Sequence, residues 1–159
     1  MRTVREADLK SPADAAALVA VLDSYASDPV GGGEPLAAEV RERLVPGLRE
    51  QANALLLLAF DDDRPIGIAV CFFGFSTFKA RPLLNIHDLA VVPEARGQGV
   101  GRSLLAAAEE RARERGCCRL TLEVQESNAP ARALYERFGF TDYVIQEPVP
   151  TRFLTKSLD

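Results

Sequence analysis

The chain of 159 residues is 47% hydrophobic, 26% charged and 7% aromatic, the balance of an ordinary soluble domain. Its 19 basic against 23 acidic groups leave a net charge of −4, too small for a disordered chain and of the wrong sign for a general nucleic-acid binder. The apolar run from Leu55 to Phe60 is far short of the roughly 20 residues that cross a bilayer, so no membrane association is expected. Met1 to Glu6 carries neither the apolar stretch nor the small-residue cleavage site of a secretory signal, which favours a cytoplasmic location. Cys71 and the neighbours Cys117 and Cys118 make no disulfide framework, and a lone histidine without a CxxC pair predicts no metal.

No repeat or linker divides the chain, so residues 1–159 are expected to form one domain. Val4 opens a short edge strand. Ser11-Pro12 gives a cap and a first-turn proline for a helix from Ala13 to Ala26, with Leu18, Val21, Leu22 and Tyr25 on one side. Asp28 to Pro35 is a glycine-rich loop, and Leu36 to Glu50 returns to helical spacing, with Pro46 expected to bend or end it. Leu55 to Phe60 and Ile66 to Phe75 read as a hairpin across Asp61 to Pro65. Leu84 to Val92 is a long strand stopped by Pro93, and Gly99 to Arg115 is an amphipathic helix ended by Gly116. Arg119 to Val124 reads as a strand, Pro130 to Phe138 as a helix, and Thr141 to Ile145 and Arg152 to Leu158 as final strands. The fold class is therefore α/β: a mixed sheet, mostly antiparallel, with helices on both faces. The strands at 84–92 and 119–124, joined by a helix, form its parallel pair.

The chemistry concentrates between Val91 and Arg102. Gly97, Gly99 and Gly101 let the backbone turn with positive φ and bring amides close to a ligand, and the helix beginning there adds the positive end of its dipole. Arg96 and Arg102 bracket a loop suited to phosphate. A nucleoside triphosphatase loop is excluded because no glycine-lysine pair exists. A dinucleotide loop is excluded because Arg102 stands where the third glycine of GxGxxG belongs.

Arg96-x-x-Gly99-x-Gly101, following a strand that ends in Pro93, resembles the acyl-coenzyme A loop of the GNAT family of N-acetyltransferases. The segment from Asn128 to Phe140 is similar to that family's N-x-x-A-x-x-L-Y-x-x-x-G-F pattern. The resemblance implies the acyl-coenzyme A N-acyltransferase fold, with the central parallel pair splayed to admit the cofactor, acetyl-coenzyme A, whose product is coenzyme A. It implies that the amides of Gly97, Gln98, Gly99, Val100 and Gly101, flanked by Arg96 and Arg102, clasp the pyrophosphate. Leu89, Ala90 and Val91 would then line the pantetheine arm with Asn128. An N–H of this strand, Leu89 foremost, would hold the thioester oxygen. Tyr135 matches the tyrosine that protonates the leaving thiolate, a task suited to a phenol that stays protonated at neutral pH. Its other reading is inner-face packing beside Leu134 and Phe138.

Strict alternation puts His87, Leu89 and Val91 on one side of the strand and Asp88 on the other unless a bulge intervenes. Phe75 to Phe78 with Leu83 to Val92 resembles the diamine acetyltransferase branch, in which an acidic residue stands at the place of His87. His87 is a candidate base, with a role confined to strand hydrogen bonding as its alternative. Asp88 is open between orienting the histidine, binding the amine and a structural network. The family covers its acceptor side with the first two helices and their connection, here Tyr25, Asp28 and Glu34. Acidic Asp28 and Glu34 would attract a cationic amine or merely solvate the loop. Ser76 and Thr77 would contact substrate or finish their strand. The reading is an acetyl-coenzyme A-dependent N-acetyltransferase acting in a ternary complex on a primary amine of a small molecule. The alternatives are a non-catalytic acyl-coenzyme A sensor and a peptide or protein N-acetyltransferase. Family members often pair as homodimers, for which Phe153-Leu154 is the apolar C-terminal feature.

Overall fold

The computed structural model describes residues 1–143 and 152–158. The elements in order are β1 (Arg2–Glu6), α1 (Pro12–Ser27), α2 (Ala38–Arg49), β2 (Ala54–Asp61), β3 (Arg64–Ser76), β4 (Arg81–Val91), a 3₁₀ turn at Pro93–Ala95, α3 (Val100–Glu114), β5 (Leu120–Leu122) and α4 (Ala129–Phe138). The strands make one sheet in the order β1-β2-β3-β4-β5, antiparallel except for the parallel pair β4–β5. Among the described residues no helix is long and apolar enough to cross a membrane.

The apolar run in β2 is uninterrupted because both of its faces are covered. Leu55, Leu57 and Ala59 pack with Leu104, Leu105 and Ala108 of α3, while Leu56 and Leu58 pack with Leu18, Val21 and Leu22 of α1 and Val45 of α2. α3 lies close on the sheet at Gly67, where a Cβ would come 3.0 Å from Val100 Cγ1 and 3.1 Å from Leu104 Cδ1. That contact fixes the height at which the first turn of α3 stands above the strand ends.

Local chemistry sets the helix ends. Ser11 Oγ accepts the Asp14 N–H at 3.4 Å with Pro12 in the first turn, and Asn128 Oδ1 accepts the Ala131 N–H at 3.2 Å at the start of α4. Gly139, at φ 106°, ends α4 in the left-handed conformation. β1 is tied to α1 by charge: Asp14 Oδ2 and Oδ1 accept from Arg5 Nη1 and Nη2 at 2.6 and 2.7 Å, and Oδ2 also accepts the Asp8 N–H at 2.8 Å. Arg5 further lies over the Phe60 ring, 4.8 Å from its centroid.

Pro46 does not end α2, which continues to Arg49. The bond that proline removes would have run to Glu42, on an exposed stretch where water can take the freed carbonyl. β5 is shorter than the predicted 119–124, because its partner β4 leaves it after Ile86. Residues 152–158 are exposed and are not strand. Of the strand expected at 141–145, residues 141–143 are not strand, and Val144 and Ile145 lie outside the described residues.

The Arg5 guanidinium, and after it the Asp8 amide, hold the Asp14 carboxyl below the usual carboxylate range. Asp14→Asn is expected to lower the unfolding free energy at pH 7 by about 2–3 kcal/mol, read as a lower urea midpoint. A depressed folded pKa makes this stabilisation complete above the unfolded value of about 3.9. The difference between the variant and the wild type therefore shrinks as the pH falls through the lower, folded value.

Candidate active site

β4 and β5 pair only at Leu84–Leu120, Asn85–Thr121 and Ile86–Leu122, and beyond Ile86 the two strands part. On its other side β4 carries an irregularity at the same point. Cys71 of β3 stands opposite Ile86, but its neighbour Val70 stands opposite Asp88, so His87 is an extra residue, a β-bulge. The Leu84 N–H donates to the Arg119 carbonyl at 3.1 Å, toward β5, whereas the Val92 N–H donates to the Ile66 carbonyl at 3.0 Å, toward β3. Amides alternate along a strand, so the bulge reverses their phase and turns those of Leu89 and Val91 into the gap. Ala90, placed with the cofactor residues by sequence, instead turns its amide to β3 and its side chain into the α1-side core.

The bulge also corrects the alternation read from sequence. Leu89 and Val91 pack with the α3-side core. His87 lies on the opposite face, its ring edge-on to Phe72 with centroids 5.6 Å apart, and Asp88 joins it there, opposite Val70 of the α1-side core. His87 is exposed and Asp88 half-buried. Burial raises the Asp88 pKa, and neighbouring His87 partly offsets the rise.

After the 3₁₀ turn the chain passes Gly97 at φ 72° and Gly99 at φ 84° into α3. The first helical bond runs from the Ser103 N–H to the Gly99 carbonyl at 3.0 Å, leaving the amides of Val100, Gly101 and Arg102 without a helical acceptor. The first turn of α3 has no acidic residue and no side-chain cap, so its positive end is uncompensated within the helix. Arg102 is exposed and has no hydrogen-bond or ion-pair partner among the described residues. Arg96 is engaged: Nε donates to the Val91 carbonyl at 3.0 Å and Nη1 lies 2.9 Å from Asp28 Oδ2. Gln98 serves as scaffold, its Nε2 donating to the Glu94 carbonyl at 2.7 Å while Arg2 donates to its carbonyl at 3.0 Å and to its side-chain oxygen. Sequence reasoning missed Arg2, since nothing local signals a contact 96 residues away.

α4 closes the far side of the gap. A Cβ on Gly101 would come 3.0 Å from Leu134 Cδ2, so the third glycine serves the α3–α4 contact. Tyr135 packs against the α3-side core and edge-on to Phe140, with ring centroids 5.8 Å apart. Burial, and after it the Tyr25 phenol, push the Tyr135 hydroxyl up to about 12. Tyr25 comes from α1 on the other face, its own hydroxyl raised by burial, then by Asp88 and Asp28. Tyr25 is thus within electrostatic reach of Tyr135, Asp88 and Asp28. Asn128 caps α4 through Oδ1. Glu34 is exposed in the loop before α2.

Ser76 and Thr77 are not brought to this cleft. They lie where β3 turns toward β4, with Ser76 paired to Arg81 at the opposite end of β4 from Val91. Ser76 is buried and its Oγ accepts from Arg119 Nη2 at 3.2 Å. Cys71 is buried in the α3-side core, and burial raises its thiol to about 12, which leaves no thiolate at neutral pH.

The profile of the Acetyltransferase (GNAT) family matches residues 18–140. The chain is 32% identical over 135 residues to the uncharacterized N-acetyltransferase YhfO of Bacillus subtilis (strain 168), across 81% of this chain and 85% of that protein. It is 36% identical over 77 residues to the thialysine N-epsilon-acetyltransferase of Bos taurus, across 48% of this chain and 45% of that protein, and so spans less than half of that relative. The crystal structure of a probable acetyltransferase shares the fold with a TM-score of 0.79 at 24% identity, covering 97% of this chain and 99% of that one. Because the profile match runs through the sheet, the glycine loop and α4 together, the chain belongs to the Acetyltransferase (GNAT) family and is an N-acetyltransferase.

Proposed function

We propose that the protein transfers the acetyl group of acetyl-coenzyme A directly to a primary amine of a small molecule, within a ternary complex. The observation that carries this reading is the slot between β4 and β5. It has outward-facing amides of Leu89 and Val91 on its rim, a phenol on one face and a half-buried carboxyl on the other. The residues fit the cofactor: the amides of Val100 to Arg102 and the Arg102 side chain, which have no partner among the described residues, suit a diphosphate, and the strand-edge amides suit an amide-bearing arm. Asn128 keeps its side-chain nitrogen for the same arm, since its cap uses only Oδ1. When bound, acetyl-coenzyme A supplies an acyl group already activated as a thioester.

The chain's own residues do the rest. The Leu89 N–H, fixed in the strand, donates to a carbonyl oxygen held in the slot. The Tyr135 hydroxyl, kept protonated by burial, donates its proton to the departing sulfur. Asp88 accepts the proton of the attacking amine, because its raised pKa makes it a stronger base than an ordinary carboxylate and no donor among the described residues bonds to it. His87, beside it and exposed, passes that proton to solvent. A small acceptor is supported by the relative named for thialysine, itself a small amine.

The deciding experiment measures thiol release from acetyl-coenzyme A across polyamines, amino acids, aminoglycosides and peptide N-termini. Saturable release with a small amine is expected. Binding without release would make the protein a sensor, and release only with peptides would make it a peptide acetyltransferase. Tyr135→Phe is expected to lower kcat by about a hundredfold with coenzyme A affinity nearly intact, since the ring stays and only the proton is lost. Unchanged turnover would remove Tyr135 from the mechanism. For the base, the acidic limb of kcat/KM should have its midpoint above the ordinary aspartate value of about 3.9 and vanish in Asp88→Asn. A limb that survives there and is flattened in His87→Ala moves the role to His87.

A further inference from the structure

Arg96 stands where the family resemblance puts a phosphate cation, yet both of its contacts are to protein oxygens. Its Nε reaches the Val91 carbonyl on the slot's rim and its Nη1 reaches the Asp28 carboxylate. The planar fork is thereby committed on two sides, and one partner is ionised. Drawing it onto a phosphate would leave Asp28 without its cation.

Asp28 organises the loop that follows α1. Its Oδ1 accepts the Val30 N–H at 3.0 Å, and its carbonyl accepts the Gly31 and Gly33 amides at 2.8 and 2.9 Å. Its own N–H donates to the Tyr25 carbonyl at 3.1 Å. Gly31 folds back so tightly that a Cβ there would sit 1.9 Å from that same Tyr25 oxygen. Tyr25 in turn belongs to the group of side chains around the slot. A single ion pair therefore joins the end of β4 to the loop, and through the loop to Tyr25.

We infer that Arg96 and Asp28 are a positioning pair, a strap that holds the 28–35 loop and Tyr25 against the slot and so sets the affinity for the amine. The diphosphate is left to the amides at the start of α3 and to Arg102. This deepens the acetyl-transfer reading and rests on it.

Arg96→Met, Asp28→Asn and the double variant test the strap in the full chain. Asparagine keeps an oxygen for the Val30 amide and removes only the charge. Hydrogen exchange is followed at Val30, Gly31 and Gly33, coenzyme A is titrated by calorimetry, and KM is measured for acetyl-coenzyme A and for the best amine of the panel. Either single substitution is expected to speed exchange in the loop and raise the amine KM by about tenfold, with coenzyme A affinity within about twofold of the wild type. The double variant should be no worse than either single, because one interaction cannot be lost twice. Multiplying effects in the double variant overturn the strap, as does a tenfold loss of coenzyme A affinity in Arg96→Met with unchanged loop exchange. An unchanged amine KM in both single variants overturns it as well. A wild-type protein that binds no coenzyme A fails the acetyl-transfer reading instead, and the strap is then decided by the exchange rates alone.

Discussion

The slot depends on one additional residue in one strand. At His87 the ladder between β3 and β4 slips, and two things follow from that slip. The strand's amide phase reverses, so the donors of Leu89 and Val91 face away from β3. The pairing with β5 also ends one residue earlier, at Ile86, so those donors meet open space. Unpaired backbone groups inside a sheet are normally a liability. Here they line a passage through the sheet, and a ligand carrying amides and a carbonyl can satisfy them.

The same slip assigns side chains to faces. By bringing His87 and Asp88 to one side, it puts an imidazole and a carboxyl on the α1 face and leaves Leu89 and Val91 to support the α3 face. A half-buried carboxyl with no hydrogen-bond donor among the described residues is an unfavourable place for a negative charge. An arriving ammonium relieves that, which ties acceptor recognition to the group proposed to take its proton. Charge around the start of α3 is arranged the other way, with Arg102, amides that lack a helical acceptor and no carboxylate in its first turn. Asp28 reaches that side from the loop after α1, and Arg96 pairs with its carboxylate.

Much of this architecture is legible in the sequence because it rests on local signals. Ser11-Pro12 caps α1 as its position suggests, the Asp-rich turn makes the β2–β3 hairpin, and Gly97 and Gly99 adopt the positive φ that their spacing implies. What escaped is non-local or energetically slight. Nothing around His87 marks a bulge, because the slip shows only in the ladder, where Val70 stands opposite Asp88 and Cys71 opposite Ile86. The partner of Arg96 lies 68 positions away on a loop, and side-chain chemistry alone could not separate a phosphate ligand from a strap. Ser76 and Thr77 looked functional because small hydroxyls at a strand end satisfy substrates and backbones equally well. Pro46 stays inside α2 without ending it, and the carbonyl it leaves unbonded lies on an exposed stretch.

The two motifs that carry the family resemblance are physically one feature. Of the three glycines in the loop, Gly97 and Gly99 have positive φ, while Gly101 does not and lies inside α3. A Cβ at Gly101 would meet Leu134 Cδ2 at 3.0 Å and Val91 Cγ2 at 3.9 Å, so β4, α3 and α4 converge on the space a side chain would otherwise fill. Leu134 immediately precedes Tyr135, and seating it against α3 fixes where the phenol stands relative to the rim amides. The glycine therefore acts on the proposed acid through packing. The spacing between the loop motif and the Leu-Tyr motif reflects a helix–helix contact as much as it reflects any ligand.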